Sequence, residues 1–107
     1  MYRIEDIPIG RENAISRKNL AALWGVSDRV ARRIVSELRT IDDGTDYVIV
    51  SNSRFSGYYR TNNTDEIDHF RNEMVKRIRS TRKAIEVAEK VAGRIRLEQQ
   101  HGRGIAR

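Results

Sequence analysis

The sequence has no cysteine, a single proline and only two histidines among its 107 residues. Without cysteine the chain has no disulfide, and it lacks the thiolates that many nucleophilic enzymes and most structural zinc sites use. No apolar run approaches the roughly 20 residues that span a bilayer, and no signal-peptide core follows Met1. A glycine-rich phosphate loop is also missing, and His69 and His101 stand apart from any catalytic partner. We therefore expect no enzymatic activity, cofactor, metal, small-molecule ligand or membrane insertion.

Positively charged residues outnumber negatively charged ones in the composition. The chain carries 21 Lys and Arg against 15 Asp and Glu, a formal net charge of +6. This excess favours a polyanionic partner such as nucleic acid, although many small basic proteins carry it with no such partner. With 38% hydrophobic residues, the length suits one small domain with a modest core.

The stretch from Ser16 to Arg39 predicts two short helices joined by a tight turn. Ser16 and Ser27 are the helix N-caps, and Gly25 ends the first helix because glycine tolerates the left-handed conformation of a sharp stop. This layout is typical of a helix-turn-helix, in which the second helix enters the major groove of DNA. Leu20, Leu23 and Trp24 form the apolar stripe of the first helix, and Ala31, Ile34, Val35 and Leu38 form that of the second. Trp24 belongs to the core in this interpretation, and a base-stacking role is the alternative.

If the apolar stripe of the second helix is buried, helical geometry turns the opposite face outward. Arginine on such a face can pair with guanine or bind phosphate. Residues of this face or its flank are Arg29, Arg32, Arg33, Ser36 and Thr40. The capping Ser27 is also assigned to the DNA-binding set. Arg17 and Lys18 open the first helix, where they either contact phosphate or are ordinary surface charge; Arg39 lies toward the end of the second and is expected to meet backbone or solvent.

A β-hairpin and a long helix complete the predicted chain. The strands are 47–51 and 58–61, with Tyr58 or Tyr59 facing inward, and Arg54 in the loop between them could contact DNA. Residues 7–15 are expected to be extended chain that leads into the first element. The long helix is expected to run from residue 63 or 64 to about residue 100, and Gly93 need not stop it. Ile67, Phe70, Met74 and Ile78 would pack over the core.

The second half of the long helix has apolar residues alternately three and four positions apart, which is the spacing of a coiled coil. We expect this seam to pair two copies in a homodimer, although the helix could instead fold back. Its proposed dimerisation residues are Ile78, Ile85, Ala88, Ala92 and Ile95. Eleven Lys and Arg against seven Asp and Glu follow residue 64, either as further phosphate contacts or as a solvated outer surface.

"IPIGRENAISRKNLAALWGVSDRVARRIVSELR", followed by a hairpin ending in "GYY" and an acid-capped basic helix, resembles small winged-helix proteins encoded by phages and prophages of Gram-positive bacteria. The likeness covers roughly residues 7–85, and "ENAIS" and "GVSDR" are its most specific parts. It implies winged-helix DNA binding, with Arg29, Arg32 and Arg33 on the recognition helix, in the cytoplasm of a bacterial host. Such proteins act as repressors, replication accessories and excision factors.

Together these features predict an α+β, mainly α fold: a winged helix-turn-helix with a long C-terminal helix. Residues 1–64 would form the DNA-binding domain, 65–100 the long helix for packing and dimerisation, and 101–107 a flexible basic tail. The expected function is sequence-specific binding of double-stranded DNA by a dimeric, repressor-like regulator. The alternatives are an architectural, replication or excision protein with little sequence preference, and a protein-binding inhibitor or adaptor.

Overall fold

A computed structural model describes residues 2–52 and 57–104 of the chain. Within them the protein is mainly helical with one small antiparallel sheet, which confirms the predicted α+β, mainly α class. The elements are β1 (Ile15–Ser16), α1 (Arg17–Trp24), α2 (Asp28–Leu38), β2 (Val48–Asn52), β3 (Gly57–Thr61) and α3 (Thr64–Gly104). The chain divides into two compact units, Met1–Arg71 and Asn72–Arg107. No described helix has the length and apolar character needed to cross a membrane.

The predicted caps set the bounds of α1 and α2. The Ser16 hydroxyl accepts a hydrogen bond from the Asn19 amide at 3.1 Å, and the Ser27 hydroxyl accepts one from the Val30 amide at 3.2 Å. Each bond satisfies a backbone donor that the first helical turn leaves unpaired. Gly25 ends α1 with φ +67°, in the left-handed region. Local sequence alone therefore specifies the turn between the two helices.

The predicted extended segment, residues 7–15, is interrupted by a short helix and is therefore extended only in part. Residues 4–6 and 11–13 form short 3₁₀ helices, and Ile7 between them has no exposed surface. The backbone here pairs with β3, since the Arg60 amide donates to the Pro8 carbonyl at 2.7 Å and the Gly10 amide donates to the Arg60 carbonyl at 2.9 Å. The segment pairs with β3 at Arg60, beyond the two β3 residues that β1 pairs with, and this pairing satisfies polar groups of its backbone while Ile7 enters the core.

The sheet has the strand order β1–β3–β2, and β1 was not predicted because it is only two residues long. β2 and β3 form the expected antiparallel hairpin, with Val50 opposite Tyr59 and Asn52 opposite Gly57. Tyr58 and Tyr59 are both buried, so β3 is covered on both faces. Residues 53–56, including the predicted contact Arg54, lie outside the described residues.

The core of the first unit joins both helices to the sheet. Its buried cluster is Ile7, Leu20, Val35, Ile49 and Tyr58, with Ile4, Ile15, Trp24 and Leu38 packed against it. Trp24 is half-buried and its indole Nε1 donates to Asp6 at 2.8 Å, in agreement with the core interpretation. Leu23 was assigned to the same stripe, but it is 61% exposed and that prediction is wrong. On the short α1, only one narrow stripe, at Leu20 and Ala21, is fully covered.

The start of α3 is tied to the hairpin. The Asn63 side chain accepts from the Glu66 amide at 3.1 Å and caps the helix. The Glu66 carboxylate accepts hydrogen bonds from the Tyr59 hydroxyl at 2.9 Å and the Thr61 hydroxyl at 2.6 Å. These bonds connect β3 to the first turn of α3, so the helix direction at its start is specified by side chains of the sheet.

Residues 72–104 of the second unit form the remainder of α3. α3 runs through Gly93, as predicted, and ends at Gly104, four residues beyond the expected end at Gln100. Ile78, which lies in this unit, is 57% exposed. Its exposure is shared by most apolar side chains that follow it in this helix.

Candidate nucleic-acid interface

The outward face of α2 is the main candidate site. Ala31, Ile34 and Val35 are buried on one side of this helix. The opposite side carries Arg29, Arg33 and Ser36, with Arg32 on its flank, as the helical geometry predicts, and all four side chains are exposed. Thr40, which was predicted on the same face, is exposed but lies two residues beyond the end of the helix, so its place on α2 was predicted wrongly. The buried stripe holds the helix in one rotational orientation, because turning it would expose apolar surface. Three guanidinium groups are therefore displayed together on the first two turns of one rigid element.

These three arginines are not used to hold the fold together. Among the described residues, no hydrogen bond or ion pair is recorded for the side chains of Arg29, Arg32 or Arg33. Their spacings of three and four positions bring like charges together, at a cost of about 0.2–0.5 kcal/mol per pair. The arrangement thus weakens the isolated helix slightly, which is expected of a surface that meets an anionic partner.

The hydroxyl groups of the predicted set have other partners. Ser27 accepts from the Val30 amide as the cap of α2. Ser36 donates to the Arg32 carbonyl at 3.1 Å, and Thr40 donates to the Glu37 carbonyl at 2.7 Å. Each hydroxyl would have to leave, or share, a local backbone bond to contact a base. The arginines are consequently the stronger candidates for direct contact.

Arg17 and Lys18 occupy the first turn of α1. The α2 and α3 helices carry acids in their first turns, where the helix dipole favours negative charge, but α1 carries none. Lys18 is exposed, whereas Arg17 is half-buried, and its Nε is buried without a hydrogen-bond partner among the described residues. A cation at a helix start that carries no acid suits a phosphate group. The described part of the chain shows no direct bond between these two residues and the arginines of α2.

Charge changes sign along α2. The arginines lie in its N-terminal half, whereas Glu37 near its end and the acids of the following loop, Asp42, Asp43 and Asp46, are exposed. The Thr45 hydroxyl donates to Asp43 at 2.6 Å, and this bond lowers the pKa of the carboxyl and keeps it ionised. A polyanion is therefore attracted to the N-terminal half of α2 and repelled from the loop beyond its C-terminal end.

Arg39 has a structural role instead. Its guanidinium donates to the Ile49 carbonyl at 3.3 Å and to the Ser51 hydroxyl at 3.0 Å. It also lies over the rings of Phe70 and Tyr58, at 4.7 Å and 5.6 Å from their centroids. These contacts come from distant parts of the chain, and no local pattern indicated them.

Two further side-chain links hold the frame behind α1 and α2. The indole of Trp24 donates to Asp6, and that bond, more than the nearby Arg3, lowers the pKa of the Asp6 carboxyl against the effect of its burial. Burial raises the pKa of Tyr59 to about 12, and its bond to Glu66 adds to the shift. Sequence reasoning missed both pairs, because Asp6 and Glu66 resemble ordinary surface acids until the fold supplies their donors.

The proposed dimerisation residues also lie on one helix. Ile78 is 57% exposed, Ile85 52% and Ile95 47%, while Ala88 is exposed and Ala92 is half-buried. Among the described residues, no group of three or more His, Asp or Glu side chains could hold a metal ion. No protein-family model, curated protein sequence or solved structure matches this chain.

Proposed function

We propose that the first unit binds double-stranded DNA, with α2 as a recognition helix in the major groove, and that the protein is a sequence-specific regulator of the kind phages encode. The observation that carries this proposal is the exposed arginine face of α2, opposite a buried stripe that fixes its direction. The order of helix, turn, helix and hairpin is that of a winged helix, and the β1–β3–β2 sheet is compatible with it.

The N-terminal half of α2 supplies the base contacts in this proposal. Arg29 and Arg33 lie one turn apart, so both can reach base edges, and arginine pairs with the O6 and N7 atoms of guanine in a bidentate manner. Arg32 on the flank and Lys18 at the start of α1 bind phosphate, which supplies affinity without sequence preference. The acidic loop after α2 faces away from the DNA in this docking, because its carboxylates would meet phosphate.

The hairpin is the proposed wing. Residues 53–56 join β2 to β3, and Arg54 among them remains a predicted DNA contact. A basic side chain at the tip of a wing can enter the minor groove beside the site that the recognition helix occupies. No catalytic step is proposed for any part of the chain.

Selection of binding sites from random duplex DNA tests the proposal most directly, followed by anisotropy titrations on a selected and a scrambled duplex at two salt concentrations. Arg33→Ala is expected to weaken binding to the selected duplex by about 5- to 150-fold, the loss of one bidentate pair. Arg33→Lys keeps the charge but loses the planar fork, so it should lose most of the preference while retaining affinity for scrambled DNA. Arg3→Ala removes the same charge from an exposed position outside α2 and serves as the control.

Three results would each change the conclusion. Equal losses on both duplexes for Arg33→Ala would exclude base reading and favour an architectural or replication accessory role. No enrichment in the selection would do the same. An absence of binding at low salt would refute DNA binding altogether, and a protein partner for the same face would then be the remaining alternative.

A further inference from the structure

The exposed seam of α3 is defined here by Ile78, Thr81, Ile85, Ala88, Ala92 and Ile95. These residues alternate at spacings of three and four, so they occupy the a and d positions of consecutive heptads. The three isoleucines expose about half of their surface, between 47% and 57%. Helices gain most of their stability from packing an apolar face. A seam of this regularity is suited to pairing with another helix of the same period.

We propose that the seam pairs with the seam of a second copy of the chain in antiparallel orientation, with Ile85 opposite the partner's Ala88. In this register the partner's Ala92 lies opposite Thr81, and the partner's Ile95 lies opposite Ile78. Large side chains thus meet small ones at the centre, and isoleucine pairs close both ends. Such alternation fills the space between two helices without voids.

The residues that flank the seam select this register. In an antiparallel pair, e positions meet e positions and g positions meet g positions across the interface. The register places Arg82 beside the partner's Glu89 and Arg77 beside the partner's Glu98, and two-fold symmetry repeats each pair. The remaining g positions, Ala84 and Val91, meet each other as apolar neighbours. Every flanking contact of the central heptads is therefore attractive or apolar.

Other arrangements bring like charges together. A parallel, in-register pair would place Arg77 beside the partner's Arg82, because g positions then meet the following e positions of the partner. Shifting the antiparallel register by one heptad in one direction places Arg82 beside the partner's Arg96 and Glu89 beside the partner's Glu89. Shifting it by one heptad in the opposite direction places Arg82 beside the partner's Arg82. Charge complementarity thus favours one orientation and one register, a form of specificity known from coiled coils.

Disulfide trapping tests the orientation, and the absence of cysteine makes any introduced thiol unique. In the proposed register, Thr81 lies opposite the partner's Ala92, while the two copies of Thr81 are about 16 Å apart along the axis. A disulfide requires Cα atoms within about 7 Å. The Thr81→Cys, Ala92→Cys double variant should therefore form a covalent dimer on mild oxidation, and Thr81→Cys alone should not. Efficient trapping of Thr81→Cys alone would overturn the proposal in favour of a parallel pair.

Charge exchange tests the register in the full chain by analytical ultracentrifugation, without DNA, so the result is independent of the proposed function. Glu89→Arg should weaken dimerisation by about tenfold at low salt, since two attractive pairs become repulsive. The substitution replaces a repulsion with Glu86 three positions away by an attraction, so a weaker helix cannot explain the loss. Adding Arg82→Glu restores the wild-type charge and should restore the affinity.

Arg96→Glu is the matched control, because in this register Arg96 lies beside the partner's Val75 and makes no charged pair. Its dissociation constant should stay close to that of the wild type. Three results would each refute the register. The first is a loss of dimer affinity for Arg96→Glu equal to that for Glu89→Arg, and the second is a double exchange that fails to restore affinity. The third is a wild-type chain that stays monomeric at hundreds of micromolar. DNA binding by a monomer would leave the proposed function in place while this inference failed.

Discussion

Replacing Arg39 with methionine should separate the arginine that holds the fold from those proposed to bind DNA. Methionine keeps the apolar stem but removes the guanidinium, which donates to the Ile49 carbonyl and the Ser51 hydroxyl and lies over the Phe70 ring. A hydrogen bond from a charged donor contributes about 1.5–3 kcal/mol, and a partly exposed cation–π contact about 0.5–1 kcal/mol. Because the bond to Ile49 is long, at 3.3 Å, only one of the two bonds is counted in full. The expected loss of unfolding free energy is then about 2–4 kcal/mol.

Urea unfolding followed by the fluorescence of Trp24 measures this loss, since the single tryptophan lies in the first unit and reports on it alone. Arg33→Met makes the same substitution on the exposed face of α2, and its stability should stay within about 0.5 kcal/mol of the wild type. When both variants are folded, Arg33→Met should bind the selected duplex more weakly than the wild type does. Arg39→Met should bind it with an affinity close to that of the wild type. A loss below about 0.5 kcal/mol for Arg39→Met would refute the structural role, because the contacts described would then contribute nothing.

Two further predictions concern stability. Tyrosine in the unfolded chain has a pKa of about 10, whereas the pKa of Tyr59 in the folded chain is about 12. Between these pH values the folded chain therefore retains a proton that the unfolded chain loses. The unfolding free energy should therefore fall by up to about 1.4 kcal/mol per pH unit between these values. Tyr59→Phe should remove that part of the slope in urea titrations at high pH, and an unchanged slope would contradict the assignment. Ser27→Ala removes the cap of α2 and should lower the free energy of unfolding by about 1 kcal/mol. Ser36→Ala should lower it by less, because the Ser36 hydroxyl bonds only within the helix. Equal losses of unfolding free energy for the two variants would argue against the cap.

Much of the first unit could be predicted locally, because its signals act over a few residues. Ser16, Gly25 and Ser27 act through their own backbone neighbours, so the bounds of α1 and α2 follow from them. The alternation of β-branched and aromatic residues likewise indicated the hairpin. Leu23 shows where such reasoning fails. Periodicity identifies the residues that share a helix face, but how many of those residues are buried depends on what packs against the face. In α1 only Leu20 and Ala21 are buried.

Local sequence is sufficient to set the direction in which Arg29 and Arg33 point, because helical period and an apolar stripe settle it without reference to any distant residue. It also determined the apolar spacing and the order of charges along α3, on which the proposed antiparallel register rests. Long-range packing, by contrast, places Ile7 in the core, brings the Trp24 and Tyr59 donors to Asp6 and Glu66, and puts Arg39 between the sheet and Phe70. These contacts join residues far apart in the chain, and the free energy of each depends on burial and geometry that exist only once the elements have packed.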